Sequence, residues 1–217
     1  VLVHHLAVSF PTNLGACFPR SPIVTQVRSG RPPGAFDPNR RNYYGQTRGL
    51  HDHNDAFFLW NRWFGSERYR SRVALDENEI AAMRRFFAAW HSTFERPFVN
   101  KNNRNTSAVP AIADALPHAR FLVVERDRDR VARSLRIARR LVHGDELRAW
   151  GLHSRDAADI ADVSLAIDDQ LTAIDQDLAR ARAALGPNRL VSIDFADFCR
   201  DPSETLELAA DQFQRLF

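Results

Sequence analysis

Lysine is almost missing from this chain. Lys101 is the only one; every other basic residue among the 30 Lys+Arg is arginine. Against 27 Asp+Glu the net charge is only +3. The broad cationic excess of a polyanion-coating protein is therefore lacking, and the balance fits a local anion pocket better. Cysteine is scarce too. Cys17 and Cys199 have no metal-type spacing, a disulfide between them is unforced, and a reduced, cytoplasmic setting is expected. No apolar run approaches the ~20 residues that span a bilayer. Residues 1–8 are apolar but have neither the basic start nor the cleavage pattern of a signal peptide. Methionine occurs once, at Met83, and the chain starts at Val1. It reads as a piece of a longer product.

What is present is ordinary globular material. Hydrophobic content of 44% and charged content of 26% over 217 residues fit one domain, 1–217, with a full core. Residues 11–49 are rich in Pro, Gly, Asn and Arg and read as one long irregular excursion, a substrate-side loop or lid. HNDAFFLWNRWFG follows, with Phe57, Phe58, Trp60, Trp63 and Phe64 clustered as on a helix face; such a stripe is core first and a ligand box second. Residues 76–94 form a helix capped by Asp76, with Glu79 completing a capping box and Ile80, Met83, Phe87, Trp90 and Phe94 on one face. A short strand at 98–101 and a short helix at 106–116 come next, with Pro110 inside the helix's first turn. Residues 121–124 are a strand and 130–142 a helix. A long Asp-rich helical region fills 154–185, with Ile160, Val163, Ile167, Leu171, Ile174 and Leu178 as its stripe. It ends at Gly186-Pro187. A strand at 190–193 and a helix capped by Asp201 complete the chain. Short apolar strands separated by helices predict an α/β fold, a parallel sheet flanked by helices on both faces.

The most unusual stretch is FLVVERDRDRVARSL, where a buried strand runs straight into alternating charge. In open α/β sheets ligands sit at the carboxyl ends of strands, against helix N-termini that attract anions. Arg126 at the strand exit offers a two-pronged donor suited to phosphate, and Ser134 follows eight residues later in the helix. The competing expectation is a solvated loop whose Arg and Asp residues pair with one another.

This stretch resembles the sulfotransferase family that uses 3′-phosphoadenosine 5′-phosphosulfate (PAPS), bacterial-type members in particular. The family has an Arg at a strand exit and a Ser eight residues on, and both bind the 3′-phosphate. Arg126 and Ser134 match, and Arg128 stands where Pro is usual. FVNKNNRNTSAVPAIADALPHARF resembles the family's strand with Lys-Asn, placing Lys101 at the matching Lys. IDFADFCRDPSETLELAADQF resembles its strand, Tyr-Glu-Asp turn and Asp-Pro-capped helix, with Phe195 and Ala196 replacing Tyr and Glu. The resemblance implies a P-loop-NTPase-like sulfotransferase fold, PAPS as co-substrate, no metal, and a small-molecule or glycan acceptor. The family's Gly-rich phosphosulfate loop has no counterpart here, so the fold is expected to be N-terminally truncated: a fragment of a longer enzyme, or a degenerate copy.

Sulfonyl transfer needs in-line geometry, charge stabilisation at the leaving oxygen and a base for the acceptor. Lys101 suits the leaving oxygen. The position two residues on, a His in the cytosolic branch, is Asn103 and takes no proton. HDHND is the substitute, with His53 as base and Asp55 as its acidic neighbour; its plainer reading is a polar loop before the aromatic helix. Two rivals remain: a non-catalytic relic acting as a nucleotide-binding or interaction module, and a nucleic-acid binder using the Arg-rich segments. Interleaved acidic residues and the lack of a nucleic-acid motif count against the second.

Overall fold

The computed structural model describes residues 7–29, 47, 49–67, 69–70, 72–155 and 162–214. The start of the apolar N-terminal stretch, residues 30–46 of the predicted excursion, and Ile160 lie outside the described residues. The chain divides into two compact units: Val1–Ser66 with Asp76–Asn102, and Glu67–Leu75 with Asn103–Phe217.

In the first unit the expected irregular excursion begins with two short helices, α1 (Asn13–Cys17) and α2 (Pro22–Ser29). Thr12 caps α1 by accepting from the Gly15 amide, a local device invisible to a count of Pro and Gly. The aromatic run is α3 (Phe57–Phe64). It packs on α4 (Glu77–Phe94) through rings: Trp60 lies 5.8 Å from Phe87 and Trp63 5.8 Å from Phe86. Phe98 closes the cluster, 5.0 Å from Phe87 and 5.1 Å from Trp90. The indole N–H groups of Trp90 and Trp60 are satisfied, by Ser9 Oγ at 2.8 Å and by Asn100 Oδ1 at 2.7 Å, as burial of a Trp N–H favours. The stripe is core. The strand expected at 98–101 is reduced to a single parallel bridge, Ser9 to Phe98; beyond it the side-chain amides of Asn100 and Asn102 donate to the carbonyls of Asn54 and Asp55.

The capping box of α4 is complete: Asp76 Oδ1 accepts from the Glu79 amide at 2.8 Å, and Glu79 Oε2 from the Asp76 amide at 2.9 Å. Asp76→Ala is expected to lower stability by about 1 kcal/mol, read as a shift of the denaturant midpoint without a change in slope.

The second unit is mixed α/β with a small parallel sheet. A 3-10 segment (Asn103–Ala108) leads into α5 (Val109–Ala115), splitting the single helix expected there. Strand β1 (Phe121–Glu125) is followed by α6 (Arg128–His143), α7 (Val163–Leu185), β2 (Leu190–Asp194), α8 (Phe195–Arg200) and α9 (Pro202–Gln214). β1 and β2 pair in parallel, Phe121 opposite Leu190 through Glu125 opposite Asp194. Side chains alternate across the pair. Leu190, Phe121 and Val123 pack with Val109 and Ala181 on one face. Val191, Ile193 and Leu122 pack with Phe198 and Ala209 on the other. Both faces are thus covered, as a parallel pair demands. Asp201 caps α9, accepting from the Glu204 amide at 2.9 Å. The short helix α8 was read as a turn, since six residues give no period to detect.

Candidate functional site

At the carboxyl end of the β1–β2 pair, the charged burst is sorted rather than self-paired. Asp127 caps α6, its Oδ1 accepting from the Arg130 amide at 2.9 Å. The helix therefore starts at Arg128, two residues earlier than periodicity suggests. One of the amides expected to face an anion is consequently taken. Arg128 is drawn to α7, 2.7 Å from Asp168, 2.5 Å from Asp175 and 2.9 Å from Thr172. Those partners raise its pKa further, the Asp168 hydrogen bond most of all. Its place in the turn, usually held by Pro, thus serves helix–helix docking. Glu125 pairs with Arg182. Asp194 caps α8, accepting from the amides of Ala196 at 2.7 Å and Asp197 at 3.1 Å.

Arg126 at the strand exit has no such partner. It is exposed, and no carboxylate or carbonyl among the described residues takes its N–H groups. Its guanidinium carbon lies 4.8 Å from the Phe195 ring centroid. Ser134, half-buried in α6, likewise has no hydroxyl partner among the described residues. Both can donate, and donors of this kind suit an anion that offers only acceptors.

The other predicted residues lie in the first unit. Asn102 donates to the Asp55 carbonyl at 2.8 Å and Asn100 to the Asn54 carbonyl at 3.0 Å. These two amides flank Lys101 and fasten it to the HDHND loop. There Lys101 Nζ meets Asp55 Oδ2 at 3.3 Å, with 63% and 23% of the side chains exposed. Such a pair adds little stability; what it sets is position. Asp55 thus serves Lys101 rather than hydrogen-bonding His53. The loop's backbone is held at His53 too, whose carbonyl accepts from Thr47 Oγ1 at 2.8 Å.

Burial pushes the His53 imidazole below its ordinary 6.5, although Asp55 and Asp52 pull upward. Its folded pKa is below its unfolded one. The uncharged ring therefore adds stability above about pH 6.5, and that contribution disappears as pH falls through the folded value. Comparing denaturation of the wild type and His53→Gln at pH 8 and pH 5 checks this. The wild type is expected to lose more stability on acidification than the variant. Equal losses would contradict the assignment of the shift to His53.

Sequence reasoning missed a second polar hub. Asp177, buried in α7, accepts from Ser107 of the 3-10 segment, from His153 Nε2 at 2.6 Å and from Arg180. His153 adopts a positive φ of 60° and its amide donates to the Tyr69 carbonyl at 2.8 Å. Serine and carboxylate meet the same ring nitrogen, unlike a catalytic relay, in which they bind opposite nitrogens. The only signal was a single Asp at a core position of the long helix. Among the described residues no three His, Cys, Asp or Glu side chains gather as a metal site would require. None of the described helices is long and apolar enough to cross a membrane.

A small parallel strand pair with helices on both sides places this chain among the α/β proteins. The chain matches the model of the sulfotransferase family over residues 9–214. It belongs to that family, and sulfonyl transfer is the general chemistry the family brings. No curated protein matches the chain, and no solved structure does.

Proposed function

We propose that the protein is a PAPS-dependent sulfotransferase with the family's P-loop-NTPase-like architecture, moving a sulfonyl group to a hydroxyl or amine of a small-molecule or glycan acceptor. The observation that carries this reading is Arg126, left without a carboxylate at the carboxyl end of β1 while Glu125, Asp127, Arg128 and Asp194 are engaged elsewhere. Arg126 and Ser134 hold the 3′-phosphate by charge-assisted hydrogen bonds. PAPS supplies the activated sulfonate. Lys101, fixed by Asn100, Asn102 and Asp55, offers positive charge to the oxygen that leaves. His53 takes the acceptor's proton; its lowered pKa keeps the ring neutral and able to do so at neutral pH. The match over 9–214 supports an enzyme over a non-catalytic relic of the fold.

The test is release of 3′-phosphoadenosine 5′-phosphate (PAP) from PAPS by the purified protein across a panel of alcohols, phenols, sugars and amines. Acceptor-dependent release is the expected result. No release with any acceptor, together with no PAP binding by calorimetry, overturns the reading.

A further inference from the structure

In parallel pairing, residues that follow two strands continue side by side. Glu125 stands opposite Asp194; one step further come Arg126 and Phe195. The guanidinium carbon of Arg126 then lies 4.8 Å from the centre of the Phe195 ring. A guanidinium over an aromatic ring is attracted by the ring quadrupole, and where its flat face meets the ring its N–H donors stay in the plane, at the edge. Three carboxylates near this point make other contacts. Glu125 is held by Arg182, Asp194 by two amides of α8 and Asp127 by the Arg130 amide.

We infer that Phe195 is a positioning residue for phosphate recognition: its ring orients the Arg126 guanidinium and leaves that group's donor edge free for the anion. This rests on the reading of Arg126 as a phosphate ligand. It also gives a role to Phe195, which stands where the family usually has Tyr. A ring face serves this purpose with or without a hydroxyl. An exposed arginine otherwise samples many rotamers, and fixing it beforehand lowers the cost of binding.

PAP is the probe, titrated calorimetrically against the protein and its variants. Phe195→Leu keeps an apolar side chain but removes the ring, and is expected to weaken PAP about tenfold. Phe195→Tyr is expected to stay within about twofold of wild type, because the face is kept. In an Arg126→Lys background, where no planar group remains to be oriented, Phe195→Leu should change affinity by less than about twofold. The Nε–H resonance of Arg126, assigned by its loss in Arg126→Lys, should carry a ring-current shift that vanishes in Phe195→Leu and persists in Phe195→Tyr.

If Arg126→Ala abolishes binding while Phe195→Leu binds like wild type, the inference is wrong and the phosphate reading survives. Equal weakening by the Leu and Tyr variants, or an undiminished Leu effect in the Arg126→Lys background, also overturns it. If Arg126→Ala binds PAP as wild type does, or if the wild type does not bind PAP, both fall.

Discussion

Arg126→Ala is expected to weaken PAP binding by at least about a hundredfold. Hydrogen bonds to a charged partner contribute about 1.5–3 kcal/mol each, and a guanidinium can supply two in parallel to one phosphate. The side chain is exposed and makes no ion pair among the described residues, so its removal should leave the denaturation midpoint within about 0.5 kcal/mol of wild type. A large affinity loss beside unchanged stability is the signature of a ligand contact. Ser134→Ala should show a smaller loss of the same kind, since a neutral hydroxyl contributes less. Calorimetry and a urea melt on the same preparations check both halves.

Asp177→Ala is expected to be the most damaging substitution to the fold, at about 3–5 kcal/mol. The carboxylate is 2% exposed and takes three donors from three places: Ser107, His153 and Arg180. Through them it joins the 3-10 segment and the loop around His153 to α7. Its loss leaves the buried hydroxyl of Ser107 only the ring nitrogen of His153, at 3.3 Å, and removes the side-chain partner of His153, whose backbone is in a left-handed conformation most side chains avoid. Urea denaturation measures the effect. A loss below about 1 kcal/mol would mean that water replaces the carboxylate without difficulty.

The two predictions differ in what the sequence reveals. Arg126 and Ser134 were legible because a strand exit, a charged turn and a helical Ser form a local pattern, and local patterns survive in one dimension. So were the capping box of α4, the helix α7 and the parallel strands, each resting on contiguous period or on neighbours three residues apart. Asp177 was not legible. Its partners are 70 and 24 residues away, and in a helix rich in Asp nothing local separates the buried one from the exposed ones. The start of α6 was misplaced for a related reason, since Asp127 could be read as part of a charge run or as a cap. Arg128 shows the same limit: only α7, folded against it, supplies Asp168 and Asp175. Phe195 looked like a departure because its partner lies across the sheet, and register is a property of the pair. In the first unit, Asn100 looked like a strand residue, and its side-chain amide is instead committed to the loop that presents Asp55.

The most direct measurement compares PAP with adenosine 5′-phosphate, which differs by the 3′-phosphate alone, in calorimetric titrations of the wild-type protein. If Arg126 and Ser134 hold that group, PAP binds at least about a hundredfold tighter, and Arg126→Ala erases the difference. Equal affinity of the two nucleotides would contradict the account.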